Sequence, residues 1–370
     1  MIPIYNIKLT PKDKKFVKRC LQKNWISSQG GFIHKLEKKL AYFHQVKFCL
    51  VTSSCTTALD LAIRSLDLKK GDEIICPALT FISPANMVLN SNLKLILVDI
   101  DPITLTIDIN KLEKKITKKT KAIIVVNQFG HIADFDKITK LSKKYNLKII
   151  EDNAEALGAR YKGKIAGSLG DISTLSFFGN KIITTGEGGA ILTNNKKLYE
   201  KCLLMRDHGM SKEKKYFHKI LGFNYRMTNM QAALGYSQML RIEKILNKRN
   251  KQFEYYKKNL NKNENLNVRF FQKWCKGVHW LTTIHLNDKR LKKKLQNYLK
   301  SEGIETRPMV FPVNYATHIK KLNNSNFSNA VSISERSIHL PSGIDLTEKK
   351  IRYICQKIHS FFKRYNKIKN

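Results

Sequence analysis

The chain has 370 residues, 42% of them hydrophobic, and this length suits a large domain with a smaller second one. Its formal net charge of +39 is compatible with a nucleic acid, an anionic membrane surface or an anionic small substrate as partner. The basic residues are spread along the whole chain without a basic tail or a zinc-finger pattern, which argues against nucleic-acid binding as the primary function and favours attraction of a phosphorylated substrate.

The apolar runs and the cysteines exclude further classes of protein. The longest apolar runs, 93–98 and 122–126, are too short to cross a bilayer, and the N-terminus lacks the pattern of a secretion signal. We therefore expect a soluble, cytoplasmic protein. The seven cysteines form no C-x-x-C pair, which argues against a disulfide framework and a structural zinc site, so we assign no metal.

Between residues 47 and 194, short β-rich runs alternate with helical patterns. The predicted strands are 48–52, 73–76, 94–99, 122–127, 148–151, 172–178 and 190–193. The predicted helices between them are 56–66, 83–90 and 136–145. This alternation predicts an α/β fold with a mostly parallel sheet that helices cover on both faces. Ligands of such sheets bind at the carboxyl ends of the strands.

The pattern changes in the last third of the chain. Residues 225–246 are predicted to form one long helix, and a different arrangement follows residue 247. The elements predicted there are a continued helix at 253–256, strands at 268–271 and 280–286, and amphipathic helices at 291–299 and 351–362. We therefore predict a large domain over residues 1–246 and a small C-terminal α+β domain over residues 247–370.

The first predicted strand leads into a turn that is rich in hydroxyl groups. Ser54, Cys55 and Thr56 pass directly into a helical pattern, so backbone N–H groups and hydroxyls gather at a helix N-terminus. Such a terminus can bind phosphate. An ordinary helix cap would use the same residue types, so this turn alone does not distinguish a phosphate site from a helix cap. Neither a Walker P-loop nor a dinucleotide glycine motif occurs in the chain.

Two further strand ends carry ionisable side chains. Asp152 stands at the end of the strand that begins at Lys148, where a buried carboxylate needs a cationic partner, although it could also cap a helix. Lys181 follows the apolar run 172–178 and the turn formers Gly179 and Asn180. Burial disfavours a charged lysine, which suits a Schiff-base amine, whereas the alternative is one more surface lysine in a lysine-rich chain.

Together, these strand ends supply a phosphate cradle, a carboxylate and an amine. Pyridoxal 5'-phosphate needs an anion site for its phosphate, a partner for its pyridine nitrogen and a lysine for its aldehyde. Each feature alone could be an ordinary structural one, but all three occur together by chance much less often than any one of them does. The sequence therefore predicts a pyridoxal-phosphate enzyme.

The chain resembles, essentially from end to end, the DegT/StrS group of sugar-nucleotide aminotransferases. The matching segments are 25–28 (Trp-Ile-Ser-Ser), 77–81 (Pro-Ala-Leu-Thr-Phe), 99–102 (Asp-Ile-Asp-Pro), 151–156 (Glu-Asp-Asn-Ala-Glu-Ala), 167–171 (Gly-Ser-Leu-Gly-Asp), 176–181 (Ser-Phe-Phe-Gly-Asn-Lys), 184–189 (Thr-Thr-Gly-Glu-Gly-Gly), 224–232 (Asn-Tyr-Arg-Met-Thr-Asn-Met-Gln-Ala) and 303–308 (Gly-Ile-Glu-Thr-Arg-Pro). The resemblance implies the aspartate-aminotransferase type of fold, which is fold type I of the pyridoxal-phosphate enzymes.

Within the group, segments 176–181 and 303–308 are most similar to those of GDP-perosamine synthases. This resemblance implies that L-glutamate gives its amino group to the cofactor and that C4 of a GDP-linked 4-keto-6-deoxy sugar then accepts it. With GDP-4-keto-6-deoxymannose the product would be GDP-perosamine, a precursor for surface polysaccharide such as the O-antigen of lipopolysaccharide. A UDP- or dTDP-linked sugar, or a 3-keto or 8-keto acceptor, stays open as an alternative.

The resemblance also implies roles at the cofactor. Lys181 binds the aldehyde as a Schiff base and then moves a proton, while Asp152 pairs with the pyridine nitrogen. Glu155 lies near the 3-hydroxyl group, and Phe81 stacks on the ring.

For the cofactor phosphate, the resemblance implies that Ser54, Thr56 and Ser176 hold it together with Asn224 of a neighbouring subunit, which makes a homodimer the functional unit. The group usually has glycine where this chain has Cys55, so we expect a slightly altered turn without loss of binding.

Substrate contacts are implied for a second set of residues. Trp25 and Ser27 in the N-terminal loop, His208 and Arg307 would face the sugar nucleotide. Two rivals to the aminotransferase remain. Dehydratases of the same fold carry histidine in place of the Schiff-base lysine, so Lys181 argues against them. A non-catalytic regulator would not need Lys181, Asp152 and the phosphate turn together.

Overall fold

A computed structural model of the protein describes residues 1–211, 213–321 and 325–369, with the side chains of the last helix described up to residue 365. The α-helices are α1 Pro11–Gln22, α2 Gly31–His44, α3 Cys55–Arg64, α4 Ser83–Asn90, α5 Ile109–Leu112, α6 Phe135–Tyr145, α7 Lys196–Arg206, α8 Asn229–Met239, α9 Ile242–Leu260, α10 Leu291–Ser301, α11 Thr317–Lys320, α12 Ser328–Arg336 and α13 Glu348–Lys369. Short 3₁₀ turns cover Glu113–Lys115, Gln128–Gly130 and Val313–Tyr315.

The strands are β1 Phe48–Thr52, β2 Glu73–Pro77, β3 Lys94–Val98, β4 Thr120–Val126, β5 Lys148–Asp152, β6 Arg160–Tyr161, β7 Lys164–Ile165, β8 Ile172–Ser176, β9 Gly189–Thr193, β10 Leu266–Val268, β11 Cys275–Lys276, β12 Thr282–Leu286, β13 Arg307–Pro308 and β14 Ser337–Leu340. In the described part of the chain they form a central sheet of seven strands, an antiparallel sheet of four, and a small sheet of β11, β6 and β7.

The central sheet has the strand order β1-β9-β8-β5-β4-β2-β3. Strands β8, β5, β4, β2 and β3 pair in parallel, and β9 runs antiparallel between β1 and β8. Consequently β1 runs in the same direction as β8, and the carboxyl ends of β1, β8, β5, β4, β2 and β3 meet at one edge. This arrangement confirms the predicted α/β fold with a mostly parallel sheet.

Both faces of the central sheet are buried, which explains its near-continuous apolar strands. Neighbouring residues of one strand, such as Ile74 and Ile75 or Ile124 and Val125, belong to different cores because successive side chains point to opposite faces. Residues of α2, α6 and α8 cover one face, and residues of α3 and α7 cover the other.

The second part of the fold is built on the antiparallel sheet β10-β12-β14-β13. Its core takes side chains from α9, α10 and α13. The N-terminal segment also joins this part: Ile2 bridges to Ile304, and the backbone N–H of Ile4 donates to Glu305 at 2.8 Å. The predicted domain boundary at 246/247 lies within α9, so the division of the chain into two domains stays a prediction.

The predicted long helix over residues 225–246 is wrong. Helix α8 begins only at Asn229, because Thr228 caps it and forms a reciprocal capping box with Gln231. It ends at Met239, and α9 starts at Ile242. At the break, the Arg241 guanidinium donates to the buried Asp13 carboxylate of α1 at 2.6 Å, so a tertiary ion pair accompanies the change of direction.

Most other predicted elements agree with the structure to within about two residues at each end. Two predictions differ more: β10 covers Leu266–Val268 where a strand at 268–271 was predicted, and α13 covers Glu348–Lys369 where a helix at 351–362 was predicted. Among the described residues, we find no helix that combines the length and the apolar character needed to span a membrane.

Candidate active site

A cavity of about 550 Å³ lies at the carboxyl edge of the central sheet. Residues of the antiparallel sheet and the segment before it, among them Trp280 and Arg307, close its other side. The predicted site residues that line this cavity are Ser54, Cys55, Thr56, Phe81, Asp152, Glu155, Ser176, Lys181 and Arg307. The fold thus brings together side chains from the three strand ends that the sequence singled out, with Phe81 from the segment after a fourth strand, β2.

The turn after β1 is built as a helix N-terminus. Ser54 caps α3: its hydroxyl accepts from the N–H of Thr57 at 3.1 Å, and the Thr57 hydroxyl accepts from the N–H of Ser54 at 3.1 Å. Within the described residues, the structure gives no acceptor to the N–H groups of Cys55 and Thr56. These free donors, at the positive end of the helix dipole, suit a phosphate group.

Cys55 occupies the first position of α3, where its backbone is helical. No left-handed conformation is required there, so a residue with a Cβ atom fits this position without backbone strain. Burial and the nearby Asp152 carboxylate raise the pKa of the Cys55 thiol, which stays neutral. The close approach is made instead by Gly189, because a Cβ atom there would lie 2.4 Å from the Ser54 carbonyl oxygen.

Asp152 ends β5 and is buried. One carboxylate oxygen accepts from the N–H of Ala154 at 2.9 Å. Burial, together with the charge of Glu155, raises the pKa of Asp152 to about 6. A protonated ring nitrogen facing this carboxylate would reverse that effect, since an opposite charge stabilises the ionised form.

Lys181 lies on the turn after β8 with its side chain largely buried. Its Nζ atom is 3.5 Å from Glu155 Oε1 and 3.8 Å from the centroid of the Trp280 ring. The Tyr5 hydroxyl donates to the Lys181 carbonyl at 2.6 Å, and the Trp280 indole N–H donates to the Asn180 carbonyl at 2.6 Å. The amine is therefore held between a carboxylate and an aromatic face.

Gln128 and Trp280 are among the lining side chains that the sequence analysis missed. Gln128 lies two residues after the end of β4, and its Nε2 atom is buried without a hydrogen-bond partner among the described residues. The rule that ligands meet strand ends could have found it, because residues 122–127 were predicted as a strand. Trp280 had no such signal, since it was assigned to a strand of the small domain.

These residues fit pyridoxal phosphate. The free N–H groups of α3 suit its phosphate, Asp152 suits the ring nitrogen, and Lys181 suits the aldehyde. The unpaired amide of Gln128 offers a further donor, and Phe81, which is 61% exposed in the single chain, offers an aromatic face.

The remaining predicted site residues lie outside this cavity in a single chain. Trp25, Ser27, His208 and Asn224 are all exposed. His208 has a left-handed backbone and sits 3.5 Å from an Arg226 nitrogen, and Asn224 bridges to Asp207. Their roles toward substrate and toward a partner's phosphate stay predictions.

Comparison with known proteins gives one consistent picture. The DegT/DnrJ/EryC1/StrS aminotransferase family matches residues 8–359. A GDP-perosamine synthase of Escherichia coli O157:H7 is 39% identical over 364 residues, which are 98% of this chain and 98% of the relative.

Two solved structures extend the comparison. Helicobacter pylori PseC, an aminotransferase of pseudoaminic acid biosynthesis, has a TM-score of 0.93 at 30% identity and covers 98% of this chain and 99% of its own. A mutant of the GDP-4-keto-6-deoxymannose-3-dehydratase ColD with bound GDP-perosamine has a TM-score of 0.90 at 26% identity. The match covers 96% of this chain and 100% of the ColD chain.

Proposed function

Because this chain belongs to the DegT/DnrJ/EryC1/StrS aminotransferase family and is a pyridoxal-phosphate-dependent aminotransferase, we propose that it aminates C4 of a GDP-linked 4-keto-6-deoxy sugar. L-Glutamate is the amino donor and GDP-4-keto-6-deoxymannose the acceptor, so the product is GDP-perosamine. The observation that carries the proposal is the cavity itself, in which the α3 N-terminus, Asp152 and Lys181 meet in a chain 39% identical to a GDP-perosamine synthase.

Each residue of the cavity has a definite task in this proposal. The N–H groups at the start of α3 and the hydroxyls of Ser54, Thr56 and Ser176 bind the cofactor phosphate. Asp152 stays ionised and keeps the pyridine nitrogen protonated. The bound cofactor then supplies an electron sink for the substrate carbon that carries the amine.

Lys181 and Glu155 handle the proton. Lys181 holds the cofactor between turnovers and, once displaced by an amino substrate, moves a proton to and from the substrate carbon. The carboxylate of Glu155, 3.5 Å from Nζ, keeps this amine in place. Since the amino group is first taken from the donor and later given to the keto sugar, ping-pong kinetics follow.

Arg307 provides a cation for an anionic substrate. It lines the cavity, and among the described residues no carboxylate forms an ion pair with it. A buried or half-buried guanidinium without a carboxylate is suited to a carboxylate or phosphate of a substrate. The diphosphate of a nucleotide sugar and the carboxylate of glutamate both meet this requirement.

We propose that the working unit is a homodimer with shared active sites in the cytoplasm. Asn224, Trp25, Ser27 and His208 are exposed and do not line the cavity of their own chain. In a dimer of the expected kind, these residues reach the cavity of the partner, with Asn224 on the phosphate and the others on the sugar nucleotide.

A different keto sugar nucleotide is the second candidate. The structural similarity to PseC favours it, because PseC is an aminotransferase involved in the biosynthesis of a different sugar, pseudoaminic acid, and shares 30% identity with this chain. The dehydratase alternative is disfavoured by Lys181, which a Schiff-base aminotransferase requires.

The test is a substrate panel with L-glutamate and the cofactor-loaded protein. The amino sugar is quantified chromatographically for GDP-, UDP- and dTDP-linked 4-keto-6-deoxy sugars, with Lys181→Ala as the inactive control. We expect turnover of the GDP-linked sugar. Turnover of a UDP-linked sugar with none of the GDP-linked one would transfer the proposal to the second candidate.

A further inference from the structure

Arg269, just after β10, is a cation outside the lining of the active-site cavity, and the residue is 7% exposed. Among the described residues, its guanidinium donates only to backbone carbonyls, which are those of Thr104 at 2.8 Å, Gln128 at 3.0 Å and Phe129 at 3.1 Å. Burial lowers the pKa of Arg269 to about 10, so it stays charged at neutral pH. A buried charge needs partners for its donors, and two of the three carbonyls that accept from Arg269 belong to one turn, while its Nε atom has no partner among the described residues.

That turn, Gln128 and Phe129, begins one residue beyond the carboxyl end of β4 at Val126, after Asn127. Phe129 has φ +50° and ψ +34°, the left-handed conformation that bulky residues rarely adopt. Such a conformation persists only where the surroundings hold it. The two hydrogen bonds from Arg269 to the Gln128 and Phe129 carbonyls supply that hold.

The Gln128–Phe129 turn also fixes the position of the Glu155 carboxylate. In its left-handed conformation, Phe129 directs its N–H to Glu155 Oε2 at 2.8 Å. The other oxygen, Oε1, is the one 3.5 Å from Lys181 Nζ. A second branch runs through rings: Phe129 lies parallel to Trp280, with centroids 6.1 Å apart and planes at 9°, and the Trp280 face lies 3.8 Å from Nζ.

We propose that Arg269 is a positioning residue for the catalytic lysine: by holding the Gln128–Phe129 turn, it fixes the Glu155 carboxylate beside Lys181. This inference rests on the proposed function, in which Lys181 binds the cofactor. The charged or titratable groups that face Glu155 are Asp152 of β5, Cys55 of α3, Lys181 and Arg269 itself. Of these, only Arg269 lies outside the cavity.

The test measures the pH at which the visible absorbance of the lysine-bound cofactor is half converted. A carboxylate a few ångströms from a protonated Schiff-base nitrogen stabilises its charge, so Glu155→Gln should lower this midpoint by about one unit or more. Arg269→Met should lower it in the same direction, by about half a unit or more, because a freed turn lets Glu155 move away.

A double variant separates positioning from general damage. If Arg269 acts through Glu155, Arg269→Met in the Glu155→Gln background should change the midpoint no further. Arg241→Met is the matched control, since it removes an arginine that pairs with buried Asp13 and touches no residue of the cavity. It should reduce stability and leave the midpoint unchanged.

The outcomes are distinct. If Arg269→Met keeps the wild-type midpoint while Glu155→Gln shifts it, Arg269 does not act as proposed. The same conclusion follows if the shift of the double variant equals the sum of the two single shifts. Should Arg269→Met fail to fold, Arg269→Lys decides, because lysine keeps the charge but loses the fixed fork of donors, and we expect an intermediate midpoint. A wild-type protein that takes up no cofactor would refute the proposed function instead.

Discussion

At the scale of single residues, Asp152 shows how a binding residue is prepared before its ligand arrives. Its carboxylate is buried near that of Glu155, and within the described part of the chain a single backbone N–H donates to it. The price is a charge that the chain without cofactor tolerates poorly at neutral pH. A cation in the cavity removes that penalty, so part of the affinity for the cofactor originates in this residue.

This predicts a pH-dependent stability difference for Asp152→Asn. Folding raises the pKa of Asp152 from 3.8 to about 6, so the folded state favours the protonated acid. The free energy of unfolding that Asp152 contributes to the wild-type apoprotein is therefore lost as the pH rises between those two values. At pH 8 the Asn apoprotein should be more stable by up to about 3 kcal/mol, and the difference should vanish below about pH 4.

Urea unfolding of both apoproteins across this range provides the measurement. Adding pyridoxal phosphate should reverse the order at pH 8, because only the aspartate can stabilise a protonated ring nitrogen. A wild-type apoprotein that is the more stable one at pH 8 would contradict this reading of Asp152.

A second prediction at the scale of single residues concerns the replacement of Cys55 by glycine. Cys55 occupies the first position of a regular helix, so glycine is not required there. Cys55→Gly should leave the affinity for pyridoxal phosphate within about threefold and lower the stability by up to about 1 kcal/mol, since glycine loses more conformational entropy on folding. Cofactor titration and urea unfolding test both parts. A large gain in affinity would show instead that the cysteine disturbs the phosphate turn.

At the scale of elements, the packing of β9 against the start of α3 shapes the phosphate turn. Gly189 begins β9 with its Cα atom against the Ser54 carbonyl, and an added Cβ atom would lie 2.4 Å from that oxygen. The helix cap must shift to relieve the clash, because backbone atoms and not a flexible side chain occupy the space.

Gly189→Ala should therefore weaken cofactor binding by about tenfold or more, which corresponds to about 1.4 kcal/mol. Gly31→Ala is the control, because Gly31 opens α2 and no atom lies within 4 Å of its added Cβ. Equal affinities of the two variants for pyridoxal phosphate would exclude this packing as a determinant of the turn.

Much of the central sheet could be predicted from sequence, because buried parallel strands consist of short runs rich in isoleucine and valine, with helices between them. For the same reason, Asp152 and Lys181 could be placed at one edge of the sheet. Trp280 and the break between α8 and α9 could not, since they depend on how distant segments pack: Trp280 faces Lys181 across the cavity, and Arg241 at the break pairs with Asp13.

At the scale of the whole molecule, the proposed dimer makes a clear prediction. A Lys181→Ala subunit lacks the amine but offers Asn224 to its partner, whereas an Asn224→Ala subunit keeps the amine. Co-expressed as a heterodimer, the two should restore about half of the wild-type activity, because one of two sites is intact.

The mixed dimer is separated by two different tags and assayed beside each homodimer, which should be weak or inactive. Failure of the heterodimer to exceed both homodimers would show that Asn224 serves its own chain or no site at all.

The central claim is that this chain is an aminotransferase whose amine is Lys181. The most direct measurement is the visible spectrum of the purified, cofactor-incubated protein before and after addition of L-glutamate. We predict a yellow band that L-glutamate bleaches as the amino form of the cofactor accumulates, and no such band in Lys181→Ala. A wild-type protein that stays colourless with pyridoxal phosphate would contradict the claim.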